Sequence, residues 1–570
     1  MATLQNKDLS LCMISLNNLW IALICWLAVG LLIFFSATPP TGPTIYPDEI
    51  CNLSWARFLS GTGPHYNMSF GGACHLVYPA LLAPLYWFDP DPVALYRGIF
   101  LINSLLVAAC FPLAVRLAVR HFGVEGWQAG LIGLAVMAYP TLTLFNHHAW
   151  PESALYPLVL VAFISYCHWI EQPDWRRFIV LGLVSLLLYL THPKMLVFPL
   201  AWLALLGLGL LFSHRLRLYH AQRALLWSFV AMILLIIGFQ VGSLQLAEYT
   251  RQSSLIEFLQ NLIKLTELDL RFVIAKLSGQ LFYAALVTGG LIWVSFSVGI
   301  GSLLHAYRHG PASIPDLEKK NLFVLVMVLL MALETAIFLA SAMRFDTFFY
   351  GRHVDNLMPV TLVAALALFF KQRISLRIAG TSIVLILSCF ALLALTLPAP
   401  AWSGFSRIHV FGMEWLIRPL FEAEQRWDLI LLVAWMLSAT GLVGFAAIQN
   451  RWRWLGWLPL VAVLSLAQFN SRPVSDILSV SRFLPDEVIN TLNSAATCRI
   501  HWDESIMGTG SRQFFRMQFY FPHCELDRLP PSSCSEVEGF VISQQPWDDC
   551  PVAESAVSLP PDLLLYHTSW

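Results

Sequence analysis

Charge is what this chain has least of. Asp, Glu, Lys and Arg make up 12% of its 570 residues, while 57% are hydrophobic; soluble globular domains carry about a quarter charged residues. An ordinary soluble globule is therefore excluded. The two signs nearly cancel, at a formal net charge of -1, so there is no support for the basic face that a nucleic-acid partner requires. No Gly-rich phosphate loop, CxxC metal pattern or GxSxG nucleophile elbow occurs, and with them go the commonest signatures of those chemistries. The first apolar run has no convincing small-residue cleavage site and reads as a retained span.

What the sequence does have is long apolar runs, each sufficient to cross about 30 Å of hydrocarbon as helix. Thirteen are read, at about 19–37, 95–118, 126–143, 151–169, 177–192, 194–212, 224–242, 280–304, 321–342, 356–370, 378–397, 427–448 and 453–469. The pair split at His192-Pro193-Lys194 is open to reading as one kinked run. Leu76 to Phe88, bounded by Asp89-Pro90-Asp91-Pro92, reads as a helix lying in the interface. The expected fold class is an all-α polytopic membrane protein with a small α/β extracytoplasmic part. Residues 1–470 form the membrane domain, with a first outer loop at about 38–94, and 471–570 form the C-terminal domain, where Ser, Asp, Pro and Cys rise.

Alternate links are short and basic: Arg116 and Arg120; Arg176 and Arg177; Arg215, Arg217 and Arg223; Arg308, Lys319 and Lys320; Lys371, Arg373 and Arg377; Arg451 and Arg453. The positive-inside rule then puts the N-terminus in the cytoplasm and both the first loop and the tail outside. Six of the eleven cysteines (Cys51, Cys74, Cys498, Cys524, Cys534 and Cys550) fall in these outer segments, an even number that suggests disulfides. Cys51 with Cys74 is the preferred pair, and the four tail cysteines leave three pairings open.

The outer links hold the candidate chemistry. Tyr46-Pro47-Asp48-Glu49 puts two carboxylates just past a span, where they are costly unless water, a cation or a substrate meets them. The apolar spacing after them predicts a surface helix from the pair to Gly61; Asp48 acting only as its cap is the bland alternative. In Asn146-His147-His148-Ala149-Trp150-Pro151-Glu152, the proline suits a helix start and sets Glu152 there. His147 and His148, with Glu49, are candidate metal ligands. Lys194 stands at a third outer turn, where snorkelling is the alternative. Arg352 and His353 stand at the end of the fifth outer loop and could clamp a lipid-linked phosphate; pairing of Arg352 with Asp355 or Asp346 is the structural alternative.

In this order the motifs resemble the GT-C superfamily of polytopic glycosyltransferases. Closest in plan are the bacterial lipid A aminoarabinose transferases, protein O-mannosyltransferases and bacterial arabinofuranosyltransferases. The resemblance covers roughly residues 19 to 470: the first span followed by Asp48-Glu49, Tyr78-Pro79 to Trp87, Tyr96-Arg97, Pro151-Glu152, Pro193-Lys194, and Gly351-Arg352-His353 to Pro359. It departs at His353, where an aromatic residue often follows the Arg. It implies transfer, with inversion, of a sugar from a polyprenyl-phosphate donor to a lipid or cell-envelope glycan acceptor outside the plasma (inner) membrane. Asp48 would be the general base, with Glu49 and Glu152 beside it, and Lys194, Arg352 and His353 would meet the donor phosphate. Some members use a divalent ion such as Mg or Mn. The competing reading is a polytopic lipid or sugar transporter or flippase, against which stand the scarcity of charges within spans, Glu334 being the exception, and the lack of an internal repeat.

Overall fold

The computed structural model describes residues 23–36, 48–62, 76–215, 270–288, 290–310, 314–339, 347–371 and 376–396, a few isolated positions, and strands between 499 and 568. The described chain is mostly helical. Among the described residues five helices are long and apolar enough to cross a membrane, and several shorter apolar helices accompany them. The expected spans at 224–242, 427–448 and 453–469, the interfacial helix near 255–264 and the segment 398–426 lie outside the described residues.

Proline sets several of the helix boundaries. Leu23–Ser36 (α1) precedes Asp48–Ser60 (α2), which begins at the acidic pair as expected. Val77–Leu82 (α3) runs into a 3-10 stretch, Ala83–Phe88, in the place of the interfacial helix. Asp91 caps Pro92–Ala108 (α4) by accepting from Val93 N and Ala94 N at 3.0 Å, with Pro92 in the first turn. Cys110–Phe122 (α5) continues that rod. The expected span 126–143 is instead two helices, Gly126–Met137 (α6) and Pro140–Phe145 (α7). The reason is local, since Pro140 keeps Tyr139 extended, at ψ 121°. His192 is extended before Pro193 in the same way, at ψ 129°. Glu152–Glu171 (α8) is followed by Trp175–Thr191 (α9), then a 3-10 turn Pro193–Leu196 and Val197–Arg215 (α10), so the open case at His192 is two helices.

The expected span 280–304 also differs. Two helices, Leu270–Val287 (α11) and Leu291–His309 (α12), meet at Gly290, whose φ of 84° is a left-handed conformation that a side chain would oppose. Both lie along one longer helix, Asp316–Phe338 (α13). Lys276 Nζ donates to Leu339 O at one end, and Asn321 Nδ2 donates to Ser295 O at 2.7 Å near the other. The pair is therefore one broken rod that starts earlier than its hydropathy suggests. Gly351–Asp355 (α14), Met358–Lys371 (α15) and Leu376–Thr396 (α16) complete the helices.

Helix α8 is the centre of the bundle. It is buried on nearly every side from Glu152 to Cys167, and Tyr166 stacks on Phe323 of α13 with ring centroids 3.9 Å apart. On the peripheral helices, by contrast, Leu134, Leu183, Leu304 and Val384 are each more than half exposed. A bilayer accepts such a surface at no hydrophobic cost, whereas water would not. In the C-terminal part, Arg499–Asp503 (β1), Glu525–Leu529 (β2), Gly539–Ser543 (β3), Val557–Leu559 (β4) and Leu563–Thr568 (β5) form one sheet in the order β2-β1-β3-β5-β4. Strand β1 runs parallel to β2 and β3, and β5 runs antiparallel to β3 and β4. Cys51 and Cys524 are disulfide-bonded, and among the described residues Cys25, Cys110, Cys167 and Cys389 are free.

Candidate active site

The first two turns of α2 are almost wholly buried, and Glu49 has no exposed surface. Its Oε1 accepts from the Tyr96 hydroxyl and from Ala149 N at 2.9 Å. One turn further on, Asn52 Nδ2 donates to Ala149 O at 2.9 Å. Ala149 is thus gripped through both its N–H and its C=O. From α4, Asn103 Nδ2 donates to Asn146 O at 3.0 Å and His148 O at 2.8 Å, while its Oδ1 accepts from Tyr78 OH at 2.9 Å. Polar residues from α2, α3 and α4 therefore fix the 146–150 turn against the start of the acidic helix. Asp48 is the first residue of α2, and its side chain lies outside the described set.

The turn delivers Glu152 to the start of α8, fully buried, with Pro151 immediately before it. One carboxylate oxygen, Oε1, meets two cations: Arg352 Nε at 2.8 Å and Lys194 Nζ at 3.3 Å. The Arg352 guanidinium also lies over the Trp150 ring, 3.7 Å from its centroid, a cation–π contact. Three separate chain segments thus converge: the turn that leads into the start of α8, the turn after α9, and α14. One carboxylate against two cations leaves an excess of one positive charge in direct contact, in a place with little water to screen it.

Arg352 pairs with Glu152 rather than with Asp355. Asp355 is occupied elsewhere, accepting from Tyr139 OH and, at 3.0 Å on each oxygen, from Tyr283 OH. Burial pushes its carboxyl up to about 7 against the pull of those two hydroxyls. Gly351 is needed for this packing, because a Cβ there would run into the Tyr283 ring.

The remaining candidates have other neighbours. His353 Nδ1 is 3.0 Å from Thr335 Oγ1, and its ring packs beside Tyr350, Phe338 and His192. His147 packs on Phe100 with ring centroids 4.8 Å apart. His148 Nδ1 lies 3.8 Å from Glu49 Oε2; burial, then His147 and Arg352, hold this imidazole well below its ordinary value, so the contact is with a neutral ring rather than an ion pair. Among the described residues one group is compact enough to hold a metal: His121, His168 and Glu171. It stands at the other end of α8, about 28 Å from Glu152 by helical rise. Lys320 Nζ already occupies its cation position, 2.7 Å from Glu171 Oε1 and 2.6 Å from His121 O. The group acts as a tie between α5, α8 and α13.

Sequence reasoning did not single out Trp150, Asn52, Asn103 or Tyr283 for the site. Asn103, an amide inside an apolar run, carried a signal; the others carried none before their neighbours were known.

No protein-family model and no curated protein sequence matches the chain. Among solved structures it is similar to ArnT from Cupriavidus metallidurans bound to undecaprenyl phosphate, with a TM-score of 0.46 and 13% identity over 96% of this chain and 98% of that one. The apo state of the same protein has a TM-score of 0.46 and 14% identity over the same shares.

Proposed function

We propose that this chain is a multi-pass membrane glycosyltransferase that moves a sugar from a polyprenyl-phosphate donor to a lipid or cell-envelope glycan acceptor. The observation that carries this reading is Glu152, buried between Lys194 and Arg352 at the boundary end of a membrane helix. Two cations held on one carboxylate are positioned before any ligand arrives, and their excess positive charge suits a departing phosphate. Asp48 takes the proton of the acceptor hydroxyl as that oxygen bonds to the anomeric carbon. The bond from that carbon to the phosphate oxygen breaks with inversion, and its electron pair leaves on the phosphate. Glu49, fixed by Tyr96 and Ala149, sets the first turn of the helix that carries Asp48. Where Mg or Mn takes part, Glu49 beside Asp48 is the residue to bring it, and loss of turnover in EDTA would reveal it. The site faces outward, with the N-terminus cytoplasmic, residues 471–570 outside, and Cys51 paired with Cys74.

The test is purified protein supplied with labelled polyprenyl-phosphate sugars and candidate lipid and glycan acceptors, with Asp48→Asn beside wild type. The variant is expected to lose about 100-fold to 10,000-fold in turnover. Normal turnover by the variant would remove the general base, and no transfer from any donor would remove the glycosyltransferase.

A further inference from the structure

The ion-paired cluster leaves polar atoms over. Glu152 uses Oε1 for both cations, while its Oε2 is buried with no hydrogen-bond partner among the described residues. Lys194 is 4% exposed, and among the described residues its one acceptor is Glu152, at 3.3 Å. A third group comes from α13. Glu334 is the one charged residue of that helix after Asn321, and its Oε2 is also buried without a partner among the described residues.

Glu334 is linked to the cluster through its helix neighbour and through charge. Its neighbour Thr335 meets His353 at 3.0 Å, next to Arg352, and the Lys194 charge acts on Glu334. A carboxylate within a membrane helix is costly and persists where something meets it. Here two carboxylate oxygens lack donors, and an ammonium with N–H groups to spare accompanies both. A polyprenyl chain has no donors, and an ionised phosphate has none either. The hydroxyls of a sugar supply them.

We propose that Glu334, together with the second oxygen of Glu152, forms a recognition subsite that accepts hydrogen bonds from hydroxyls of the transferred sugar. This rests on the glycosyltransferase reading. Lys194 then serves both halves of the donor, its charge toward the phosphate and its spare N–H groups toward the sugar. Glu334 sets which sugar is held and leaves the lipid phosphate to Lys194 and Arg352.

The experiment compares binding of two probes to the full chain in detergent. One is undecaprenyl phosphate; the other is whichever of undecaprenyl-phosphoryl glucose, mannose and arabinose wild type holds most tightly. Glu334→Ala is expected to weaken the sugar-bearing lipid about tenfold to a hundredfold, the range for losing a hydrogen bond to a charged group. Bare undecaprenyl phosphate should change less than about twofold. Glu334→Gln, which keeps the shape and one neutral acceptor, should show a smaller loss confined to the sugar-bearing lipid and covers the case in which the alanine variant does not fold. Equal weakening of both probes would make Glu334 a mere electrostatic partner of Lys194 and overturn the proposal, as would unchanged binding of both. Failure of wild type to bind either lipid would overturn the glycosyltransferase reading itself.

Discussion

Glu152 and Lys194 should behave as one unit, which a double-mutant cycle can read. At an effective dielectric of about 20, a contact of 3.3 Å is worth about 5 kcal/mol of Coulomb attraction, and the 2.8 Å contact to Arg352 about 6 kcal/mol. Desolvation of three buried charges offsets most of this, so the pairing is worth little on its own while its rupture is expensive. Glu152→Gln strands two buried cations and should cost about 3–5 kcal/mol of stability. Lys194→Met leaves the carboxylate with Arg352 and should cost less. The double variant removes one charge of each sign and should lose about 2 kcal/mol less than the sum of the singles. Unfolding titrations in mixed detergent give the four free energies. Additivity within about 0.5 kcal/mol would show that the two groups do not act on each other, and the preformed phosphate site would lose its foundation.

Other perturbations test its surroundings. Gly351→Ala drives a methyl into the Tyr283 ring and should cost at least about 1–3 kcal/mol, read as a lower melting midpoint. Trp150→Leu removes the ring under Arg352 and should weaken undecaprenyl phosphate binding by about 1–2 kcal/mol, or roughly tenfold, with Trp150→Phe recovering most of it. Asp355 binds its proton up to about 7 in the folded chain but has an ordinary value of 3.8. The folded state therefore holds more protons across that window, so stability is full below about 3.8 and is lost as pH rises through about 7, by up to about 4 kcal/mol. Melting midpoints measured across this range should fall with rising pH in wild type and stay flatter in Asp355→Asn.

The sequence by itself determined the membrane class, because a hydropathy pattern needs no partner: a run of apolar residues is apolar wherever it folds. It also located the start of α2 at Asp48-Glu49 and of α8 at Glu152, since helix starts and proline breaks are local events. Tertiary structure decided what is decided by neighbours. The run at 280–304 gave no sign that its rod begins at Leu270 and breaks at Gly290, because Lys276 and Tyr283 of α11 find their partners on other segments, at Leu339 and Asp355, and not on their own helix. Nor did Arg352 have a partner readable from spacing. Asp355 is three residues away and Glu152 two hundred, yet the tyrosines take the first and leave the second. Burial joined Glu152, Lys194, Arg352 and Trp150 into one cluster, since packed helices bring together residues that the chain keeps far apart and withdraw the water that would otherwise screen them.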